Sequence, residues 1–326
     1  MNAGSPICPQ CGAPLPRQAS WRAVTCTYCS AVVPPTVKVV EAQRFHDAWL
    51  RAEDLDGDHP YSCAGQRYRV IDTLGQGPHA RVLLAERAGA LTERVVIKVP
   101  HDDGAAVRLR RESDVLKQLQ QETRAGAAYF TQRLPQLVAI GKSGSSDGSN
   151  SSDIMVLRHP TGFWGSLAAA RLNYPGGIDA RHVVWMWRRV LEVLAYLHDG
   201  GWAHGAIHPD HLLVHPRDHG VLLIGWADAT RFSSRSSRAA STAYGRDLRQ
   251  SAWAMRALLA GGADRDDNAP AIPAALPAPL ASLLRRASED AAWCESTGAA
   301  ALDAQLVTGA AQCFGAPRFI VFSPTQ

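Results

Sequence analysis

Lysine is scarce in this chain. Only Lys38, Lys98, Lys117 and Lys142 occur among 326 residues, against thirty arginines. The imbalance reads as genomic composition rather than chemistry, yet it makes each lysine's position informative. No run of about 18 apolar residues is present, so no membrane-spanning helix and no membrane partner are expected. The start, Met1 to Pro6, has neither a basic cluster nor an apolar stretch, so no secretory signal is visible and a cytoplasmic location is expected. A net charge of +4 is too mild to mark a nucleic-acid binder. With 46% apolar residues and that low charge, wholesale disorder is excluded as well. The length allows two or three domains and a sizeable core.

Seven cysteines are present, and four fall in the first 29 residues. They form two pairs, Cys8-Pro9-Gln10-Cys11 and Cys26-Thr27-Tyr28-Cys29, with 14 residues between them. Each C-x-x-C can fold into a tight knuckle that presents two thiolates to one ion, and two knuckles complete the tetrahedron that Zn²⁺ prefers. Gly12 supplies the permissive turn after the first knuckle. A pair of disulfides or a redox-active C-x-x-C is the competing reading. The missing secretion signal opposes the first, and the absence of a surrounding βαβ pattern opposes the second. Four cysteine ligands leave no place for water, so the metal is expected to be structural. Cys63, Cys294 and Cys313 stand alone and read as small apolar packers.

The predicted organisation is a four-cysteine zinc ribbon over 1–35, a helical linker over 36–60 and one large unit over 61–326. A helix is expected within 38–53 and an acidic joint at 54–60. The first part of the large unit is strand-rich: 67–74, 81–86 and 94–99, a helix near 105–120, then strands near 136–140 and 154–157. A Gly/Ser-rich loop over 141–153 separates the last two. The second part is helical. Trp187, Val190, Leu191, Leu194 and Leu197 make one stripe in 180–198, and helices are expected near 247–260, 279–288 and 298–308. The fold class is therefore α+β.

Two glycines one residue apart, Gly75 and Gly77, sit between the first two strands, where a hairpin backbone can approach a phosphate closely. Val82 follows them. Lys98 lies in the middle of the apolar strand Val95-Val96-Ile97-Lys98-Val99, and a lysine there must be paired or solvated. Glu112, 14 residues later on the predicted helix, is its natural partner. A lysine snorkelling from an edge strand is the plainer alternative. Further on, His204-Gly205-Ala206-Ile207-His208-Pro209-Asp210-His211-Leu212-Leu213-Val214 follows the long helix, and Asp247 opens another.

Over 68–308 this pattern resembles the eukaryotic-like protein kinases. The glycine loop, the V-x-I-K strand and the helical glutamate match Gly75, Gly77, Lys98 and Glu112, and 204–214 resembles the kinase catalytic loop in register. The resemblance implies a bilobal fold, a small β-rich lobe and a helical one, with Asp247 bracing the loop. It also implies a nucleotide cleft: Gly75 and Gly77 over phosphates, Lys98 on the α/β-phosphates, Glu112 orienting Lys98, and ATP or another nucleotide stacked near Val82.

The departures carry the functional reading. Where the family has its catalytic base this chain has Ala206; the loop lysine is His208, the metal-binding asparagine is His211, and D-F-G reads Gly225-Trp226-Ala227. The base and both principal Mg²⁺ ligands are thus absent, which speaks against Mg²⁺ and against phosphoryl transfer. Gly205 replaces the phosphate-docking arginine, and only 21 residues separate Gly225 from Asp247. The expected protein is a bacterial pseudokinase with no catalytic residues, acting as a scaffold or allosteric regulator, its ribbon docking a protein partner. A divergent but active Ser/Thr kinase is the alternative, in which Asp228 or Asp210 restores metal binding. A zinc-ribbon adaptor with an inert fold is the third. Five histidines crowd 198–215, but Pro209 argues against a helical metal pair. The Arg/Ser-rich stretch from Arg231 reads as a solvated loop. The ribbon offers only Arg17 and Arg22 as basic residues, with Trp21 and Tyr28 as its aromatics, so nucleic acid is not the expected partner.

Overall fold

The computed structural model describes residues 7–16, 23–33, 61–89, 93–143, 153–261 and 270–325. The helix expected within 38–53, the joint at 54–60, residues 144–152 of the Gly/Ser-rich loop, and Arg17, Trp21 and Arg22 lie outside these residues. The protein is a mixed α+β molecule in which a β-rich region is followed by helices, with a cysteine cluster at its N-terminal end.

That N-terminal unit is small. Strands β1 (Val24–Thr25) and β2 (Val32–Val33) pair antiparallel around the second cysteine knuckle. Its buried apolar residues are only Cys8, Ala13, Leu15, Cys26 and Val33 among those described. So few side chains cannot offset the entropy of ordering the backbone.

The β-rich region is one antiparallel sheet of six strands. They are β3 (Tyr61–Cys63), β4 (Gln66–Gln76), β5 (Ala80–Arg87), β6 (Glu93–Pro100), β7 (Leu137–Lys142) and β8 (Asp153–Arg158), in the order β3-β4-β5-β6-β8-β7. Side chains alternate across its two faces. Tyr68, Leu83, Ala85, Val95, Ile97, Ile154 and Val156 fill one side, and edge strand β3 curls over to reach β7. Val96, Met155 and Leu157 join the other core, together with Leu109, Leu116 and Leu119 of helix α1 (Asp103–Gln120). Both faces are therefore buried, which explains the near-continuous apolar runs of β6 and β8. No sequence pattern marks strand β3, and Gly141, Lys142 and Asp153, expected in the loop, instead continue β7 and β8.

Asp102 caps α1, its carboxylate accepting the Ala105 amide at 2.7 Å. After α1 come the single turn α2 (Ala127–Phe130), strand β9 (Gly165–Ser166) and the short helix α3 (Leu167–Arg171). Helix α4 (Ala180–Asp199) carries the predicted stripe and ends at Gly200-Gly201, where Gly201 has φ +81°. Strands β10 (Trp202–Ala203), β11 (Leu212–His215), β12 (Gly220–Leu223) and β13 (Thr230–Arg231) follow. They form two small ladders, one of β12, β11 and β9 and one of β10 and β13. Helix α5 (Arg238–Ala260) starts well before the expected 247, because Ser237 caps it by accepting the Ala240 amide. The Arg/Ser-rich stretch therefore runs into helix from Arg238 rather than continuing as loop. Helices α6 (Ala278–Glu289), α7 (Ala291–Thr297) and α8 (Ala299–Phe314) complete the helical part, α7 being an addition to the expected set. No described helix is long and apolar enough to cross a membrane.

The chain then returns along the outside of α4. Phe322 is buried against Tyr174 and His182, and the Asn173 side chain donates to the Pro324 carbonyl at 2.8 Å. Phe319 stacks on His219 at 4.4 Å, and His219 stacks in turn on Trp185 at 4.3 Å. Phe319 also meets Tyr28 of the cysteine unit edge-on at 5.0 Å. The tail thus ties the N-terminal unit to the helical part.

Candidate functional site

The four thiols of Cys8, Cys11, Cys26 and Cys29 lie within 4.8 Å of one another. Across the two knuckles, Cys8 and Cys29 are 3.6 Å apart and Cys11 and Cys26 are 3.7 Å apart. A tetrahedron with Zn–S bonds of about 2.3 Å requires sulfur separations of about 3.8 Å, so the cluster fits a metal ion such as Zn²⁺. The backbone shapes both knuckles alike: Gly12 donates to the Cys8 carbonyl at 2.9 Å and Ser30 to the Cys26 carbonyl at 2.9 Å. Burial raises the Cys8 thiol, but the amides of Cys11 and Gln10 and the neighbouring thiols outweigh it and bring it down to about 7. Cys11 moves the other way, up to about 12; the Ala13 amide lowers it, while burial and the three other thiols prevail. A cation at the centre removes that competition.

The second site lies between sheet and helices. Lys98 pairs across β5–β6 with Val82, and Val82 pairs on its other side with Gly75 of the glycine hairpin. The Lys98 ammonium donates to both Glu112 oxygens, at 2.7 and 2.8 Å, and both side chains are largely excluded from solvent. The snorkelling alternative is thereby set aside. Gly75 and Gly77 have ordinary backbone angles, and a side chain at either would meet no close neighbour. Protein packing thus gives neither position a reason to be glycine. The hairpin tip is held by His101, whose Nε2 donates to the Gly77 carbonyl at 2.9 Å, beside a cavity of about 260 Å³ lined by Gln76, Arg81, Val99, Pro100 and His101. Sequence reasoning misses His101; its place directly after β6 is the available signal.

Glu112 also accepts the Trp226 amide at 3.3 Å, and the fully buried Trp226 donates its indole N–H to the Leu223 carbonyl. Trp226 meets the His204 ring edge-on at 4.5 Å. His204 donates from Nε2 to the Ile224 carbonyl and accepts the Ala206 amide at Nδ1. Asp247, fully buried, accepts the amides of His204 and Gly205 at 2.8 Å each, and His198 Nε2 at 3.1 Å. Glu112, Trp226, His204 and Asp247 thus make one continuous relay from α1 to α5.

Ala206 offers no polar side chain. His211 turns inward, Nδ1 donating to the Ala206 carbonyl at 2.7 Å, and its ring lies against Gly225. His208 packs on His211 at 3.8 Å and reaches the exposed Asp210 at 3.5 Å. Asp228 is taken by Arg108 of α1 at 2.8 Å, a contact between residues 120 apart that no local pattern announces. That guanidinium holds the Asp228 carboxyl below the usual range, against the burial that raises it.

Burial lowers His204 to about 4; the nearby His211 adds to this, and the charges of Asp247 and Glu112 oppose it without overcoming it. The unfolded chain binds this proton near pH 6.5 and the folded chain only near 4, so stability is full above 6.5 and falls as pH drops between the two. His219, lowered to about 4 chiefly by burial, acts in the same direction. Urea unfolding at pH 7 and pH 5 is expected to show a loss of about 2 kcal/mol from His204. The loss shrinks in His204→Asn; equal loss in the variant would assign it elsewhere.

No protein-family model matches this chain, and no curated protein matches it.

Proposed function

We propose that residues 61–326 form a protein-kinase-like unit that has lost phosphoryl transfer and serves as a nucleotide-responsive scaffold, a pseudokinase, with the metal-bound ribbon as its docking module. One observation carries this reading: the nucleotide-holding and chemical positions have diverged in opposite ways. At one, Lys98 is held by both oxygens of Glu112 near two glycines that nothing in the chain requires. At the other, the base and metal positions are Ala206, His211 and Gly225. Without a positioned base the rate falls by about 10²–10⁴, and the loss of metal oxygens compounds it.

In this reading a nucleotide is a ligand that biases the relay from Glu112 to Asp247, not a substrate. Gly75 and Gly77 leave room for phosphates, Lys98 meets their charge, and the base lies near Val82. A partner meets the ribbon at Ile7 and Val32, which are exposed apolar side chains.

The test is the melting temperature of the zinc-loaded chain with and without ATP, in resin-treated buffer so that the ribbon keeps its metal. A ligand at 100 times its Kd adds about 2.7 kcal/mol, or roughly 5–10 °C for a chain of this size. The shift is expected in the wild type and absent in Lys98→Met, with no phosphate transferred from labelled ATP. No shift in the wild type would sink nucleotide binding; transfer to protein substrates would sink the pseudokinase reading.

A further inference from the structure

Resting on the reading of that cleft as a nucleotide site, we propose that it excludes divalent cations and takes its polyphosphate as the free anion. The argument is one of occupied space and engaged oxygens. A Cβ at position 225 would lie 2.6 Å from each ring nitrogen of His211 and closer still to Cε1, so the imidazole fills the space an acidic side chain there would need. Its Nδ1–H is directed at the Ala206 carbonyl, which leaves Nε2 as the only lone pair. Mg²⁺ demands hard oxygen ligands in near-octahedral array, and one imidazole nitrogen is a poor start.

The carboxylates around the cleft are engaged elsewhere. Glu112 holds Lys98 and the Trp226 amide, Asp228 holds Arg108, and Asp247 holds two backbone amides and His198. Asp210 points outward, its side chain 71% exposed beside His208. Drawing Glu112 onto a metal would strand the shielded Lys98 ammonium, and drawing Asp247 would leave buried amides unpaired, a cost that the ion's own binding must first offset. Asp228 would have to leave the half-exposed Arg108. Gly225 at φ +82° and His211 therefore form a matched pair, and a side chain placed at 225 while His211 stays clashes with its ring.

The experiment measures affinity for a fluorescent ATP analogue by anisotropy, using the zinc-loaded full chain in resin-treated buffer and again with Mg²⁺. Wild-type affinity is expected to stay equal or weaken when Mg²⁺ is added, since the free anion is the ligand. His211→Asn/Gly225→Asp is expected to bind about tenfold tighter with Mg²⁺ than without, whereas Gly225→Asp alone melts earlier than wild type. Wild-type affinity that rises tenfold with Mg²⁺ overturns the proposal. A second arm needs no nucleotide: the spin-resonance signal of free Mn²⁺ is expected to be unchanged by wild type and reduced by the double variant. Mn²⁺ uptake by wild type that disappears in Asp228→Asn overturns it equally. If the wild type binds no nucleotide in either buffer, the functional reading falls while the Mn²⁺ arm still decides whether the cleft admits a cation.

Discussion

Replacing Cys11 with serine, or stripping the metal with a chelator, is expected to unfold the ribbon and leave the six-stranded sheet and the helices standing. Among the described residues the ribbon's apolar core numbers five, two of them the clustered cysteines Cys8 and Cys26, and its strands are two residues long. Structural Zn²⁺ supplies about 10–16 kcal/mol in comparable small units, far more than those side chains contribute. Zinc content is expected to fall from a single ion per chain to none. Amide exchange in 23–33 should then reach unprotected rates while strand β6 keeps its protection. Retained protection in 23–33 without metal would refute a metal-dependent ribbon.

The same experiment reads the C-terminal tail that carries Phe319. Phe319 lies between Tyr28 of the ribbon and His219, with Trp185 stacked behind. Ring contacts of this kind contribute about 0.5–1.5 kcal/mol, so Phe319→Ala is expected to weaken zinc binding by roughly two- to tenfold. Unchanged zinc affinity would mean that the ribbon is independent of the helical part.

What the sequence discloses follows from distance along the chain. Cysteine knuckles are local, so their spacing alone places four thiols around one point. Lys98 is legible because an ammonium inside an apolar strand needs an anion, and one helix downstream offers Glu112. The stripe of α4 is legible because helical period survives any tertiary context. By contrast, Arg108 meets Asp228 across 120 residues, and Phe319 meets Tyr28 from the opposite end of the chain. No local periodicity encodes such contacts. Strand β3 escapes notice because Tyr61–Cys63 is three residues long and is a strand only through its pairing with β4. The fate of His211 is the subtlest case. That its ring occupies the space beside Gly225 can be read only with both positions placed in space.

The deepest consequence for stability attaches to Asp247. Its carboxylate is fully buried and accepts three hydrogen bonds, two from the backbone of the loop that carries Ala206 and His211. Gly205 has φ +83°, and a Cβ there would stand 2.9 Å from the Asp228 carbonyl, so the loop has little freedom to seek other acceptors. Asp247→Ala strands two amides and His198 in a dry interior. Removing one member of such a buried network costs about 3–5 kcal/mol, which for a chain this long lowers the melting temperature by roughly 6–20 °C. Asp247→Asn keeps one carbonyl oxygen but turns an N–H₂ group toward a donor, so its loss should fall between wild type and Ala. The loop amides at 204–207 are expected to exchange faster in both variants, before the rest of α5 opens. A change below about 1 kcal/mol in Asp247→Ala would mean that the loop is held by its own packing. The relay from Glu112 through Trp226 and His204 would then end short of α5, and a ligand at Lys98 would have no physical path into the helical bundle.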